Sequence, residues 1–452
     1  MTLIRKLISG YSEELVRGVT GVAGLRVLGV LIGYVFVIIV SRNFGATALG
    51  EYQLTVQVVA TCTLFSTLGF NQLTLKYGSR YGESGKVPKP FKKALLKWVG
   101  VAISASLVTS FLLAIFSEGV AIYFFSGEEA KKYILLAAVV VPFQLFNSLA
   151  CELFRSLKLI AFSEYLRSIH VRCANLVIVA AFVLYSERPG SDIVVFSFMV
   201  ATISAFVLAV LIFWKKIQNG NDQAPDATAD NEINELTLKK SLGQSWPMYQ
   251  SLLLMFASTQ ALVYILAYFE SPAEVAKYNV SLQVANLANF IFASVVTVAA
   301  PMYSRDYSAG HDKLKQTIRE SSRIIFWASG TASLGIGLLS YPILLVFGDV
   351  FAQAWNVLVI LAAANFINAF TGASGNLLDM TGGHKWRKNI LFVNAALTLL
   401  VAFYAIHAFG AAGAAIAYFF NMCFGNIVGV YVVYKRLGIN MMYFPWQKVS
   451  GS

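Results

Sequence analysis

Charge is scarce in this chain. Of 452 residues only 13% are Asp, Glu, Lys or Arg, while 57% are hydrophobic; a soluble globular protein is nearer a quarter charged. That excludes an ordinary soluble domain. Cysteine is scarce too. Cys62, Cys151, Cys173 and Cys423 lie in or beside apolar runs with no CxxC pair, so neither a disulfide framework nor a zinc site is indicated. The four histidines form no HExxH pattern and no Walker A sequence is present, so the residues imply no metal, no cofactor and no nucleotide hydrolysis. The ~10-residue alternating segments of a membrane β-barrel are missing, and no cleavable signal is evident.

What the chain has is apolar runs of roughly 20 residues from end to end, the length of helix that crosses ~30 Å of hydrocarbon. The expected fold is an all-α polytopic membrane protein with twelve spans. They fall at about 19–41, 50–74, 94–116, 132–154, 165–186, 192–214, 244–268, 275–299, 322–346, 353–377, 389–408 and 411–434. The formal charge of +12 sits in short loops such as "KYGSRYGESGKVPKPFKK" and "HKWRK". It therefore reads as an orientation signal and not as a nucleic-acid surface. With both termini in the cytoplasm, the outer side keeps only Arg42, Lys131, Lys132, Arg188 and Lys277.

Domain organisation follows from one polar interruption. "QNGNDQAPDATADNEINEL" is Pro/Asp/Asn-rich and aperiodic, a cytoplasmic linker at 218–240. It divides the chain into a short interfacial N-terminal helix at 1–18, a six-helix bundle at 19–217, a second at 241–436 and a tail at 437–452. The halves repeat: Tyr52, Gln53, Gln57 and Val58 align with Tyr278, Asn279, Gln283 and Val284, and Ser79-Arg80 with Ser304-Arg305. Six spans per unit is an even number, so the repeats are parallel, with a substrate site expected near mid-membrane where they meet.

Polar residues recur at helical spacing inside the spans. Gln53 and Gln57 mark span 2; Asn279, Gln283 and Asn286 mark span 8; Asn365 and Asn368 mark span 10. Amides glue helices together, and they also suit sugar hydroxyls. Arg26 and Arg172 lie on the inner halves of spans 1 and 5. An arginine at mid-span costs from ~3 to over 10 kcal/mol, so each either snorkels or meets an anion, and the guanidinium fork suits phosphate. Arg167 and His170 are nearer the headgroup zone, while Gly29 and Gly33 form a small-xxx-small packing pair. No carboxylate falls in the middle third of any span: Glu152 and Asp379 sit at cytoplasmic ends, and Glu51, Glu270, Glu274 and Asp349 at outer ends.

"SRNFGATALGEYQL", "AAPMYSRDYSAG", "GASGNLLDMTGGHKWRKN" and "FGAAGAAIAYFFNM", in a 6+6 layout, resemble the polysaccharide flippases of the multidrug/oligosaccharidyl-lipid/polysaccharide (MOP) superfamily. The resemblance implies two six-helix bundles, as in multidrug and toxin extrusion (MATE) transporters, that alternate access. It implies a non-enzymatic flippase in the bacterial inner membrane, moving undecaprenyl-diphosphate-linked oligosaccharide units of O-antigen, capsule or exopolysaccharide to the periplasmic leaflet. Arg26 and Arg172 are the positions that would meet the diphosphate. Partners would be the lipid-linked glycan, membrane lipid and the pathway's polymerase, with the monomer as the working unit. Two other readings stay open: a cation-coupled exporter of the same fold, which needs a usable intramembrane acid, and a membrane-embedded polymerase or glycosyltransferase, which needs a large catalytic loop. A major-facilitator transporter shares the 6+6 plan, but the loop after span 2 lacks that family's Gly/Asp/Arg pattern.

Overall fold

The computed structural model describes residues 13–81, 87–125, 127–185, 190–218 and 237–443. Residues 1–12 of the expected interfacial helix, 219–236 of the expected linker and 444–452 of the tail lie outside the described residues. Among the described residues the chain is helical, without strands. It divides into two compact units, Met1–Leu252 and Leu253–Ser452.

The first unit contains α1 (Glu13–Thr67), α2 (Phe70–Gly78), α3 (Lys89–Ile115), α4 (Ser117–Phe125), α5 (Lys131–Ser156), α6 (Ile160–Glu164), α7 (Val171–Tyr185) and α8 (Asp192–Gln218). A π-helical turn, Tyr165–His170, joins α6 to α7. The next helix, α9 (Leu238–Thr259), carries the division between the units. The second unit continues through α10 (Ala261–Phe269), α11 (Pro272–Ala309), α12 (His311–Ile325), a π turn at Phe326–Gly330, α13 (Thr331–Leu338), α14 (Ser340–Leu345), α15 (Asp349–Ala352), α16 (Trp355–Thr371), α17 (Ser374–Met380) and α18 (His384–Leu437).

Eight of the described helices are long and apolar enough to span a membrane, or nine if the bent pair α16–α17 is one span. Two of the eight are far longer than one crossing. α1 has 55 residues and α18 has 54, about 80 Å of helix at 1.5 Å per residue. Each breaks at a glycine, Gly45 (φ 84°) or Gly410 (φ 54°), a conformation that costs an L side chain roughly 1–2 kcal/mol. Just after the second break, a Cβ on Gly413 would lie 2.0 Å from the Ala405 carbonyl oxygen, so "FGAAG" is a turn glycine followed by a close-approach glycine. Each long helix is thus two crossings. The irregular stretch is 322–346, which passes from α12 through the π turn into α13 and α14. The arrangement is consistent with twelve crossings.

In the first unit an aromatic core closes one end of the helices, beside the loop that joins α2 to α3. Phe70 stacks on Trp98 (centroids 6.2 Å), and Tyr77 and Phe91 pack around the same indole. The polar atoms of these rings find partners on α9. Trp98 Nε1 donates to Ser241 Oγ (3.1 Å), and Tyr77 Oη donates to Gln244 Oε1 (2.6 Å). Ser245 Oγ donates to the Leu68 carbonyl (2.9 Å). Buried aromatic N–H and O–H groups need such partners, which is why the start of α9, although it follows the linker in sequence, packs with the first unit.

In the second unit Tyr303 is fully buried and its hydroxyl meets Ser321 Oγ at 2.7 Å. Asp306, 1% exposed, accepts from Arg305 Nε (2.8 Å) and Thr317 Oγ1 (2.6 Å), locking the end of α11 to α12. The repeat read from the sequence has local counterparts. Tyr77 and Tyr303 stand 226 positions apart, as do Tyr52 and Tyr278. Both Tyr77 and Tyr303 are fully buried and hydrogen-bonded, Tyr77 to Gln244 on α9 and Tyr303 to Ser321 on α12. Each unit also pairs an acid on its fourth span with an arginine on its fifth: Glu152 with Arg167, and Asp379 with Arg387 (3.0 Å).

Candidate functional site

The two arginines singled out by the sequence lie along one helix contact in the first unit. Arg26, Gly29 and Gly33 are three and seven residues apart and form one stripe of α1. Facing them are Glu164, Ser168 and Arg172, spread over α6, the π turn and α7. The pairing runs in step. Arg26 meets Glu164, a Cβ on Gly29 would lie 2.5 Å from the Ser168 carbonyl oxygen, and a Cβ on Gly33 would lie 3.4 Å from Arg172 Cδ. Gly29 and Gly33 are therefore the packing pair that the sequence indicated. What they admit is the backbone of Ser168 and the stem of Arg172. In a regular α-helix residues four apart drift around the axis; the π turn holds one more residue per turn, which offsets that drift and keeps the second stripe aligned with the first.

Arg26 is not an unpaired cation. Its Nε donates to Glu164 Oε2 (3.0 Å) and its Nη2 to Glu164 Oε1 (2.6 Å). The Glu164 side chain is 3% exposed, whereas that of Arg26 is 48% exposed. By its spacing of four and eight from Ser168 and Arg172, Glu164 shares their stripe of the fifth span, although spacing within one helix does not identify it as the partner of Arg26. Arg172 is exposed, and its head makes one hydrogen bond among the described residues, from Nη1 to the Ser168 carbonyl (3.3 Å). Arg167 is held by Glu152, which also lies 3.7 Å from Arg155. Four guanidinium groups thus face two carboxylates in this region, leaving it net positive. His170 lies 3.0 Å from Ser204 Oγ and 3.1 Å from the Tyr165 hydroxyl.

The amide rows are placed differently in the two units. In the first, Gln53 and Gln57 are half-buried, and Gln53 Oε1 is a buried oxygen without a hydrogen-bond partner among the described residues. On the same span Tyr52 receives a hydrogen bond from Asn175 Nδ2 (3.0 Å). In the second unit Asn279 is half-buried, and Gln283 and Asn286 are exposed. Asn365 is 1% exposed; its Nδ2 donates to the Ala285 carbonyl (2.7 Å), and its Oδ1 accepts from Asn289 (3.0 Å). Asn289 also donates to Asn286 (3.1 Å) and accepts from Asn368 (3.0 Å), which in turn accepts from Asn426 (2.9 Å). Asn365 thus acts as a helix-to-helix tie, the gluing role open to any intramembrane amide. Asn289 and Asn426, not among the sequence-derived residues, are its hub and its end. Asn289 was legible as the next residue on the Asn286 stripe.

Neither acid considered for cation binding is unclaimed: Glu152 holds Arg167, and Asp379 holds Arg387 with His384 at 3.4 Å. No group of three or more metal-ligating side chains occurs among the described residues.

Residues 15–306 match the family described as polysaccharide biosynthesis protein. Among solved structures the chain is similar to the lipid II flippase MurJ in an inward closed conformation. The identity is 13% over 91% of this chain and 87% of that one, with a TM-score of 0.72. It is similar to an inward-facing MATE multidrug transporter of the MOP superfamily at 14% identity, covering 92% and 98%, with a TM-score of 0.66. It is also similar to a MOP transporter from Pyrococcus furiosus at 13% identity, covering 93% and 95%, with a TM-score of 0.58. No curated protein matches the chain. At such identities the likeness is one of fold, and the relatives are transporters and a flippase, not enzymes. With a matched region covering well over half its length, the chain belongs to the polysaccharide biosynthesis protein family and has the multi-pass membrane fold of the MOP superfamily.

Proposed function

We infer that the protein is a flippase that moves undecaprenyl-diphosphate-linked oligosaccharide repeat units, of O-antigen, capsule or exopolysaccharide, from the cytoplasmic to the periplasmic leaflet of the bacterial inner membrane. The observation that carries this reading is the cationic row of the first unit. Arg26 and Arg172 are both accessible, on one helix contact roughly two turns apart, with no carboxylate at Arg172 among the described residues. A lipid-linked sugar must take a diphosphate and several hydroxylated rings through hydrocarbon, where each unpaired polar group costs several kcal/mol. Guanidinium groups meet the diphosphate with charge-assisted hydrogen bonds. Accessible amides such as Gln283 and Asn286 serve sugar hydroxyls. The prenyl tail stays in lipid. Family membership and the fold shared with MurJ support the same reading. Both termini are placed in the cytoplasm by the positive loops, and the polymerase of the same pathway is the natural partner of a monomeric carrier.

The test is depletion in the native host. The expected result is loss of surface glycan with undecaprenyl-linked units accumulating on the inner leaflet. Unchanged surface polysaccharide in a clean deletion overturns the reading. Efflux of a cationic dye that vanishes on neutralising Asp379 or Glu152 would replace it with a cation exporter.

A further inference from the structure

A buried carboxylate beside a phosphate-binding arginine looks like a competitor for it. The geometry of Arg26 points the other way. A guanidinium has five N–H donors in a planar fork. Glu164 takes one from Nε and one from Nη2, at 3.0 and 2.6 Å, which is the side edge of the fork. The other Nη2 hydrogen and both Nη1 hydrogens remain; the Nη2 hydrogen and one of the Nη1 pair form the end edge, which pairs with phosphate oxygens as readily as the side edge does. No hydrogen bond from that end edge occurs among the described residues.

Three observations make Glu164 a fixture and not a passing partner. Its side chain is 3% exposed, whereas Arg26 is about half accessible, so the carboxylate is set in protein and the arginine reaches out from it. Ser168 Oγ approaches Glu164 Oε2, the oxygen that also accepts from Arg26 Nε, from the next turn at 3.5 Å. Directly along the same stripe, Gly29 lets α1 close onto the Ser168 backbone and Gly33 lets it close onto the stem of Arg172, so the two arginines are carried on one close helix contact. A free arginine samples many rotamers and loses roughly 2 kcal/mol of side-chain freedom when it is ordered. An arginine already clamped at its side edge has lost that freedom before the ligand arrives.

We propose that Glu164 is a positioning residue of the anion site, holding Arg26 by its side edge so that its end edge, together with Arg172, is presented to a diphosphate headgroup. This rests on the flippase reading above and adds to it that one arginine of the site, Arg26, is pre-set by a carboxylate, while Arg172 has no carboxylate partner among the described residues.

The experiment measures binding of undecaprenyl diphosphate to the full-length protein in nanodiscs, for wild type, Glu164→Gln, Glu164→Asp, Arg26→Lys, Arg172→Ala and the double variant Glu164→Gln/Arg26→Lys. Thermal stability is followed alongside. Glu164→Gln is expected to weaken binding about 5- to 20-fold. Arg26→Lys is expected to weaken it by a similar factor alone but by less than 2-fold in the Glu164→Gln background, because a lysine has no side edge to clamp. Glu164→Asp, which keeps the charge on a shorter stem, should fall in between. Retained or tighter binding by a stable Glu164→Gln protein overturns the proposal, tighter binding marking Glu164 as a competitor. So does a Glu164→Gln and Arg26→Lys pair whose effects simply multiply. Loss of binding in Arg172→Ala would leave the flippase reading standing through any of these. If Arg172→Ala and Arg26→Lys also bind as wild type does, the anion site itself is wrong.

Discussion

Gly375 lies directly under the guanidinium of Arg387: a Cβ placed on it would sit 1.7 Å from Nη1. The contact explains the most distinctive stretch of the sequence, "GASGNLLDMTGGHKWRKN". Gly372, at φ 71°, ends α16. Gly375 makes room for Arg387, Asp379 accepts from its Nε at 3.0 Å, and Gly383 makes room for Arg436. The motif is a clamp on the end of the second unit where α17 meets α18. Gly375→Ala is expected to destabilise the protein by about 1–3 kcal/mol through overpacking. In the Arg387→Ala background the same change should cost much less. Thermal unfolding in detergent of the two single variants and the double variant checks this; additive effects would count against the contact.

Gly33 carries the stem of Arg172, whose Cδ lies 3.4 Å from where a Cβ would be. Gly33→Ala should therefore be tolerated, whereas Gly33→Leu should displace the guanidinium and reduce glycan export nearly as much as Arg172→Ala does, at unchanged protein level. Gly29→Ala meets a carbonyl oxygen at 2.5 Å and should instead lower the amount of folded protein. Measuring export and membrane abundance together separates the two outcomes.

Gly45→Ala isolates backbone strain. The residue sits at φ 84° with nothing within 4 Å of its missing Cβ, so only the conformation resists a side chain, at roughly 1–2 kcal/mol. Gly100 also has open space but lies inside α3 with ordinary helical backbone. Gly100→Ala should be neutral or stabilising by up to about 1 kcal/mol. Equal melting shifts for the two would remove the argument that Gly45 turns the chain from the first span to the second.

Asn289 is the hub of the amide chain, and Asn286 is its exposed end. Asn289→Leu strands Asn368 and one bond of the buried Asn365, so a loss of about 1–3 kcal/mol is expected. Asn286→Ala removes one exposed partner and should cost less than about 0.5 kcal/mol, so the proposal that it binds sugar can be tested through export. A larger stability effect at 286 than at 289 would reverse the assignment.

Neutralising Glu152 or Asp379 leaves Arg167 or Arg387 without its carboxylate. The expected phenotype of Glu152→Gln and Asp379→Asn is reduced folded yield, partly restored by Arg167→Gln and Arg387→Gln respectively. A fully stable Asp379→Asn protein that has lost transport would instead assign the acid a coupling role.

Much of the architecture was legible because lipid permits so few solutions: apolar length gave the spans, and Lys and Arg gave the loops. The breaks at Gly45 and Gly410 fall between spans read from the sequence, 19–41 and 50–74, and 389–408 and 411–434. The candidate site was half legible. Arg26, Gly29, Gly33 and the stripe Glu164–Ser168–Arg172 could all be picked out, each on its own helix. That the two stripes face each other depends on which helices pack together, and one-helix periodicity carries no such information. The same limit hid Asn289 and Asn426, whose roles exist only through side chains on other helices. The start of α9 joined the first unit for a reason of the same kind: Trp98 and Tyr77 needed polar partners that only their folded surroundings identify.

The π turn at Tyr165–His170 carries its extra residue within one stretch of helix. Deleting a single residue of that turn would shorten the spacing from Glu164 to Arg172 from eight to seven, and seven residues of regular α-helix return to within about 20° of the same face, so Glu164 would still meet Arg26. The same deletion farther along, inside α7, has no bulge to absorb it: everything upstream would swing about 100° around the axis and carry Glu164 away from Arg26. Tolerance of one missing residue is thereby confined to a single turn of this span.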